Sequence, residues 1–240
     1  MKTKQTIVVA GILAAGFLVE SLVAGEINVK KADGKTVVQV VAGSPEAPAV
    51  QAANPNIQVE CLKSKDSQTP YPVLKDDLVN AGSPSLAKVL FDDFAPHQAC
   101  NAAALNDGNT GNPSDQNGVT FDLDGTWTTT FVLDASKAPK GYDISEIRTV
   151  AGWPPSRAYQ KYELLVSKVS APDKFISMGT FNVDAEGGAL ASQIKLTGKE
   201  SLIETNVSSI KFKFMVPNPA VPATETAYRE IDVVGKTSEK

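Results

Sequence analysis

Between residues 119 and 234, eight short runs rich in β-branched and aromatic residues follow one another, at 119–123, 126–133, 144–151, 159–167, 174–183, 191–196, 208–216 and 228–234, with turn-forming clusters between them. A chain punctuated every ten or so residues, about the spacing of short antiparallel strands, leaves no room for long helices. Lys211-Phe212-Lys213-Phe214 and Tyr162-Glu163-Leu164 alternate polar and apolar residues. Alternate side chains of a strand point to opposite faces, so these strands have one wet face and one dry face. Eight of them predict an all-β sandwich. Trp127, inside the run 126–133, is expected to pack on one face of its strand. One stretch, 84–94, has helical spacing through Leu86, Val89, Leu90 and Asp93, and one or two helical turns are expected there.

Upstream of the runs the chain reads differently. Lys2 and Lys4 precede an apolar run at 7–19, followed by Ser21, Leu22, Val23, Ala24 and Gly25. A basic start, a short apolar core and small residues at a cleavage point are the order of a signal peptide, here 1–25. A membrane-spanning helix wants about 20 apolar residues, and Glu20 interrupts this run too early. The expected location is therefore secreted or cell-envelope, with no membrane insertion after cleavage. The full chain carries a formal charge of −4 and no basic stripe, which removes the electrostatic drive toward nucleic acid.

Ile27-Asn28-Val29-Lys30 and the run 36–41 flank Asp33-Gly34, a hairpin signal. Pro45, Pro48 and Pro55 then stand among Ala, Ser and Asn, a composition that resists regular structure. This divides the chain into a signal at 1–25, an N-terminal hairpin and Pro/Ala-rich linker at 26–60, and a β-sandwich at 61–240. The two cysteines, Cys61 and Cys100, read most simply as one disulfide in an exported chain. The alternative is two separate buried thiols.

The residue types that carry catalysis are scarce. His97 is the sole histidine, which rules out a multi-histidine zinc site. Nucleophile-elbow, phosphate-loop and His-Glu-x-x-His patterns are absent. Asp122, Asp124, Asp134, Asp143, Glu146 and Glu163 fall near strand ends, where carboxylates commonly cap turns. Asp107-Gly108-Asn109-Thr110-Gly111-Asn112 offers oxygens suited to a hard cation. An EF-hand is excluded, because Gly118 stands where that loop requires glutamate. The metal-free alternative for the loop is an Asx-type turn. Trp153 and Arg157 lie four residues apart beside Pro154 and Pro155. An indole face can stack on a sugar ring, and a guanidinium can donate a fork of hydrogen bonds. The same tryptophan could instead pack against the sandwich, with the arginine bracing the loop.

Three segments together resemble the galactose-binding-like jelly roll, the superfamily of discoidin or coagulation-factor type C domains and of many carbohydrate-binding modules. They are Leu105-Asn106-Asp107-Gly108-Asn109-Thr110, then 141–148 leading into 152–162, and Tyr228-Arg229-Glu230-Ile231-Asp232-Val233-Val234-Gly235. The resemblance runs from about residue 85 to about 235 and rests on finding all three in one order. It implies an all-β galactose-binding-like β-sandwich with the hairpin as an N-terminal extension. It also implies a structural Ca2+ held by Asp107, Asn109, Thr110 and Glu230.

The leading expectation is a non-catalytic, exported carbohydrate-binding domain using Trp153 and Arg157. The alternative is a structural or adhesive, calcium-braced sandwich that binds protein partners, and a third is a glycoside-active enzyme. The export reading is checked by N-terminal sequencing of protein recovered from its native host, which should start near Gly25 or Glu26. Retention of Met1 or Lys2 would refute it.

Overall fold

The computed structural model describes residues 27–32, 35–40, 54, 56–65, 71–72, 74, 76–92, 102–110, 119–121, 127–152, 157–183, 189–215 and 226–239; strands 27–32, 35–40 and 119–121 are described through their backbone alone. The strands are β1 Ile27–Ala32, β2 Lys35–Val40, β3 Ile57–Ser64, β4 Leu86–Asp92, β5 Val119–Phe121 and β6 Trp127–Leu133. They continue with β7 Tyr142–Gly152, β8 Gln160–Lys168, β9 Ala171–Val183, β10 Ala191–Gly198, β11 Glu204–Phe214 and β12 Thr226–Thr237. A single 3-10 turn, Ala102–Leu105, is the one helical element among the described residues.

Every pairing is antiparallel. One layer runs β1-β2-β3-β10-β7-β12-β5 and the other β4-β6-β11-β8-β9. β11 joins them. Its first residues pair with β7 at Glu204–Ile144 and Val207–Tyr142, and from Ser209 onward it runs between β6 and β8. The irregularity falls at Asn206, whose φ of 55° breaks the extended backbone and lets the strand turn from one layer into the other.

The expected β-sandwich is what forms. Between its layers the alternating runs supply the core: Phe131 and Leu133 from β6, Tyr162, Leu164 and Val166 from β8, Ile210, Phe212 and Phe214 from β11. Tyr162 lies 5.4 Å from Phe212 and 5.7 Å from Phe181, and Phe214 lies 4.5 Å from Tyr228, centroid to centroid. Tilted contacts at these distances suit aromatic quadrupoles better than face-to-face stacking. Trp127 is buried on this side, as its strand pattern predicted. The hairpin strands also pair, from Ile27–Val40 to Ala32–Lys35, and they continue the sheet through Thr36–Cys61 and Val37–Glu60; Asp33 and Gly34 lie outside the described residues. The strand receiving it, β3, starts at Ile57, so the division expected near residue 60 falls inside a strand.

One expectation is corrected. The helical turns expected at 84–94 are strand β4, paired with β6. Its register shifts between Leu86 and Lys88, and the extra residue puts Leu86 and Val89 on the same core-facing side. A bulge thus turns a period of two into an interval of three, which in sequence imitates a helix. Cys61, the described half of the expected disulfide, is a free thiol. It faces the core from β3, opposite Ile194. Burial pushes the thiol pKa up to about 12, which leaves it inert as a nucleophile. Cys100 lies outside the described residues.

Gly141 opens β7 with a φ of 85°, and a Cβ there would stand 2.6 Å from the backbone carbon of Asn206. Both the dihedral and the space require glycine. Gly141→Ala is expected to cost at least about 1–3 kcal/mol, read as a lowered urea midpoint; an unchanged midpoint would contradict this account of the layer crossing.

Candidate functional site

β12 is buried along its whole length from Thr226 to Val233. Ile231 and Val233 face the core, and Glu230 and Asp232, alternating with them, point the other way. That side is covered by the segment ahead of β4. Leu78 donates its N–H to the Val233 carbonyl at 2.8 Å, and Asp77 bridges Val234. Tyr71 packs on Val150 and Ala191 of the same outer face. A polar strand face that would ordinarily meet water is therefore roofed over.

Beneath the roof three carboxylates converge. One oxygen from each of Asp77, Glu230 and Asp232 lies within 4.8 Å of the others, and the residues are 5%, 0% and 1% exposed. Asp77 Oδ1 accepts from the N–H groups of Val233 at 2.7 Å and Val79 at 3.0 Å. Glu230 Oε2 accepts from the Asn109 N–H at 3.1 Å. The remaining oxygens, Asp77 Oδ2, Glu230 Oε1 and both of Asp232, have no hydrogen-bond partner. Burial, reinforced by mutual repulsion, pushes Glu230 up to about 9 and Asp77 to about 7. Burial likewise raises Asp232 to about 6, partly offset by the Leu74 backbone and the charge of Arg148.

The loop 107–110 forms the lip of this centre. Asn106 is pinned below it, donating Nδ2 to the Val79 carbonyl at 2.7 Å while its own carbonyl takes the Ala81 N–H. Asp107 Oδ1 accepts from the Asn109 N–H at 2.9 Å, an Asx turn, and Gly108 takes a φ of 76°. The same Asn109 N–H is shared with Glu230, and the Asp107 charge adds to the burial that raises the Glu230 pKa. A cleft of about 900 Å³ opens past Asp76, Asp77, Asn80, Ser83, Asp107 and Gly108.

Of the four expected calcium ligands, the fold brings Asp107, Asn109 and Glu230 together. Thr110 is buried beside them with its carbonyl turned to Arg229 Nη1 at 3.5 Å. The expected ligand set did not include Asp77 and Asp232, which the fold places beside Glu230. The one sequence signal was Glu230-Ile231-Asp232, two acids spaced to share a strand face.

The ligand-loop residues are partly in view. Trp153 lies outside the described residues. Arg157 is half-buried, and its carbonyl accepts from the Ala227 N–H at 3.2 Å. Arg229, 3% exposed, donates Nε to the Gly152 carbonyl at 2.5 Å. It sits at a register shift in β12, so two polar residues stand between core residues Tyr228 and Ile231 where strict alternation allows one. Gln160 Nε2 donates to Ser192 Oγ at 2.9 Å, and that hydroxyl donates to the Ala158 carbonyl. Thr149 Oγ1 donates to Gln160 Oε1 at 2.6 Å. Both legs of the β7–β8 connection are thereby held by buried polar contacts.

No protein-family model and no curated protein matches the chain. Among solved structures it is similar to a family 32 carbohydrate-binding module of NanJ from Clostridium perfringens in complex with galactose, at 13% identity and a TM-score of 0.40, covering 60% of this chain and 92% of that one. A second Clostridium perfringens module, in complex with GalNAc-β-1,3-galactose, gives 15% identity and a TM-score of 0.38 over 61% and 94%. The module of AlyQ, in complex with 4,5-unsaturated mannuronic acid, gives 14% and 0.39 over 62% and 94%.

With cations chelated, the raised carboxyls hold protons that an unfolded chain releases near pH 4. The folded state then binds more protons than the unfolded one, so stability falls as pH rises from about 4 toward 9. Urea midpoints in chelator at pH 5 and pH 8.5 check the sign. The midpoint should be lower at pH 8.5, and a flat or rising midpoint would contradict the buried cluster.

Proposed function

We propose that this chain is a non-catalytic, exported carbohydrate-binding domain that meets its ligand through the β7–β8 connection, with Trp153 as stacking platform and Arg157 as hydrogen-bond donor. A Ca2+ ion bound at Glu230, beside the loop that carries Asp107, Asn109 and Thr110, braces that loop. The observation that supports this reading is Arg229. Its buried guanidinium reaches the carbonyl of Gly152, the residue before Trp153, and that of Thr110 in the acidic loop. A loop tied down on both legs loses less entropy when it meets a ligand. Weak sugar sites with one stacking face depend on that saving.

The structural or adhesive alternative has one feature in its favour. β4 pairs with β6 alone among the described strands, and it carries exposed Leu90 and Phe91. An apolar edge strand is a surface on which another chain can add.

A glycan array probed with the full chain, with and without calcium, separates the two. The parent is expected to bind in the micromolar to millimolar range, about −4 to −8 kcal/mol. Trp153→Ala should abolish that binding and leave the melting temperature unchanged. Unfolding of Trp153→Ala would make the indole a core residue and end the platform reading. A parent that binds no glycan would leave the adhesive reading in its place.

A further inference from the structure

We propose that Asp77 and Asp232, which the motif resemblance does not implicate, join Glu230 as ligands of a divalent, oxygen-seeking cation, so that the metal sits under the roof of β12 and not in the 107–110 loop. This rests on the cation part of the proposed function and moves its seat; it does not depend on sugar binding.

The carboxylate oxygens that lack partners decide the location. In the loop, Asp107 Oδ1 already accepts the Asn109 N–H, and Thr110 turns its carbonyl to Arg229. Under the roof, four carboxylate oxygens of three residues at most 5% exposed have no partner within hydrogen-bond distance, and the Leu74 backbone gives Asp232 only a weaker favourable contact. A buried polar atom without a partner is costly, and native structures rarely keep several side by side. One cation supplies what all four lack.

The chemistry of the set selects the class of ion. Three carboxylates with no nitrogen or sulfur donor suit a hard cation and disfavour zinc. Oxygens within 4.8 Å of one another can share one ion at calcium distances, since twice about 2.4 Å spans that separation. Arg148 stands directly across the ladder from Asp232, with its guanidinium paired to Glu146. The cleft lined by Asp76, Asp77 and Asp107 gives an ion a path from solvent.

The test is titration of CaCl2 into the metal-stripped full chain, followed by calorimetry and by thermal melting, for the parent and for Asp77→Asn, Asp232→Asn and Asp107→Asn. Asparagine keeps an acceptor oxygen, so Asp77 can still take the Val79 and Val233 amides. One ion per chain is expected. Asp77→Asn and Asp232→Asn should each weaken it by at least about 10-fold, whereas Asp107→Asn should stay close to the parent. Asp232→Asn carries a second signature that a purely structural role would not give: a higher melting temperature than the parent in chelator, together with a smaller rise on adding calcium. Should Asp77→Asn fail to fold, Asp232 decides alone. Loss of binding in Asp107→Asn with Asp232→Asn unaffected would return the ion to the loop and overturn the proposal. An unchanged parent melting temperature between saturating calcium and chelator would overturn both seats, while sugar binding by that same protein would leave the carbohydrate reading standing.

Discussion

The covering of β12 on both faces is the constraint from which the rest of this structure follows. A strand with Ile231 and Val233 inward and Glu230 and Asp232 outward is ordinarily an edge of a sandwich with a wet face. Here Tyr71, Asp77 and Leu78 lie on that side, and Leu78 and Asp77 hydrogen-bond to the strand. Transfer of carboxylates out of water costs several kcal/mol each unless charge or hydrogen bonds offset it. The roof therefore sets an electrostatic problem, and the raised pKa of each acid expresses it: burial favours the protonated carboxyls.

The same strand transmits order to the loops. At the register shift beside Tyr228, Arg229 leaves the regular ladder and reaches two carbonyls that belong to different connections. A flexible amine could satisfy one of them. The planar guanidinium, with several donors in fixed directions, satisfies both. Next to it the Thr149, Gln160 and Ser192 network lies entirely inside the protein, where low dielectric strengthens each bond and penalises any that is broken. Rigidity at this end of the sandwich thus comes from polar contacts, while the aromatic core holds the two layers together.

Much of this was legible in the sequence, and the failures have particular causes. The runs that became β6 to β12 were visible because each alternates against one core and turns between neighbours. β4 misled because a bulge changes the interval between Leu86 and Val89, which no local propensity announces. β3 was half lost to the proline-rich stretch before it. Asp107 and Glu230 were reached through motif order. Asp232 was read as part of a strand motif, and nothing local says that its face is roofed by residues some 150 positions earlier. Asp77 sits in Lys75-Asp76-Asp77-Leu78, which looks like an ordinary polar turn. Burial of those two acids is a tertiary fact. The thiol of Cys61 shows the same limit, since an even cysteine count cannot say which way a strand faces.

The attachment of the hairpin to β3 has a consequence for how the molecule comes apart. β1 and β2 pair with each other over six positions, but β2 meets β3 at only two, Thr36–Cys61 and Val37–Glu60. Two rungs are a small fraction of the ladder that holds β3 to β10 over eight positions. A hairpin joined to the sheet through two rungs is expected to open at a lower free energy than the sandwich itself. Opening there would free only the two rungs Thr36–Cys61 and Val37–Glu60, so the hairpin could leave while the ladder of β3 with β10 stays whole.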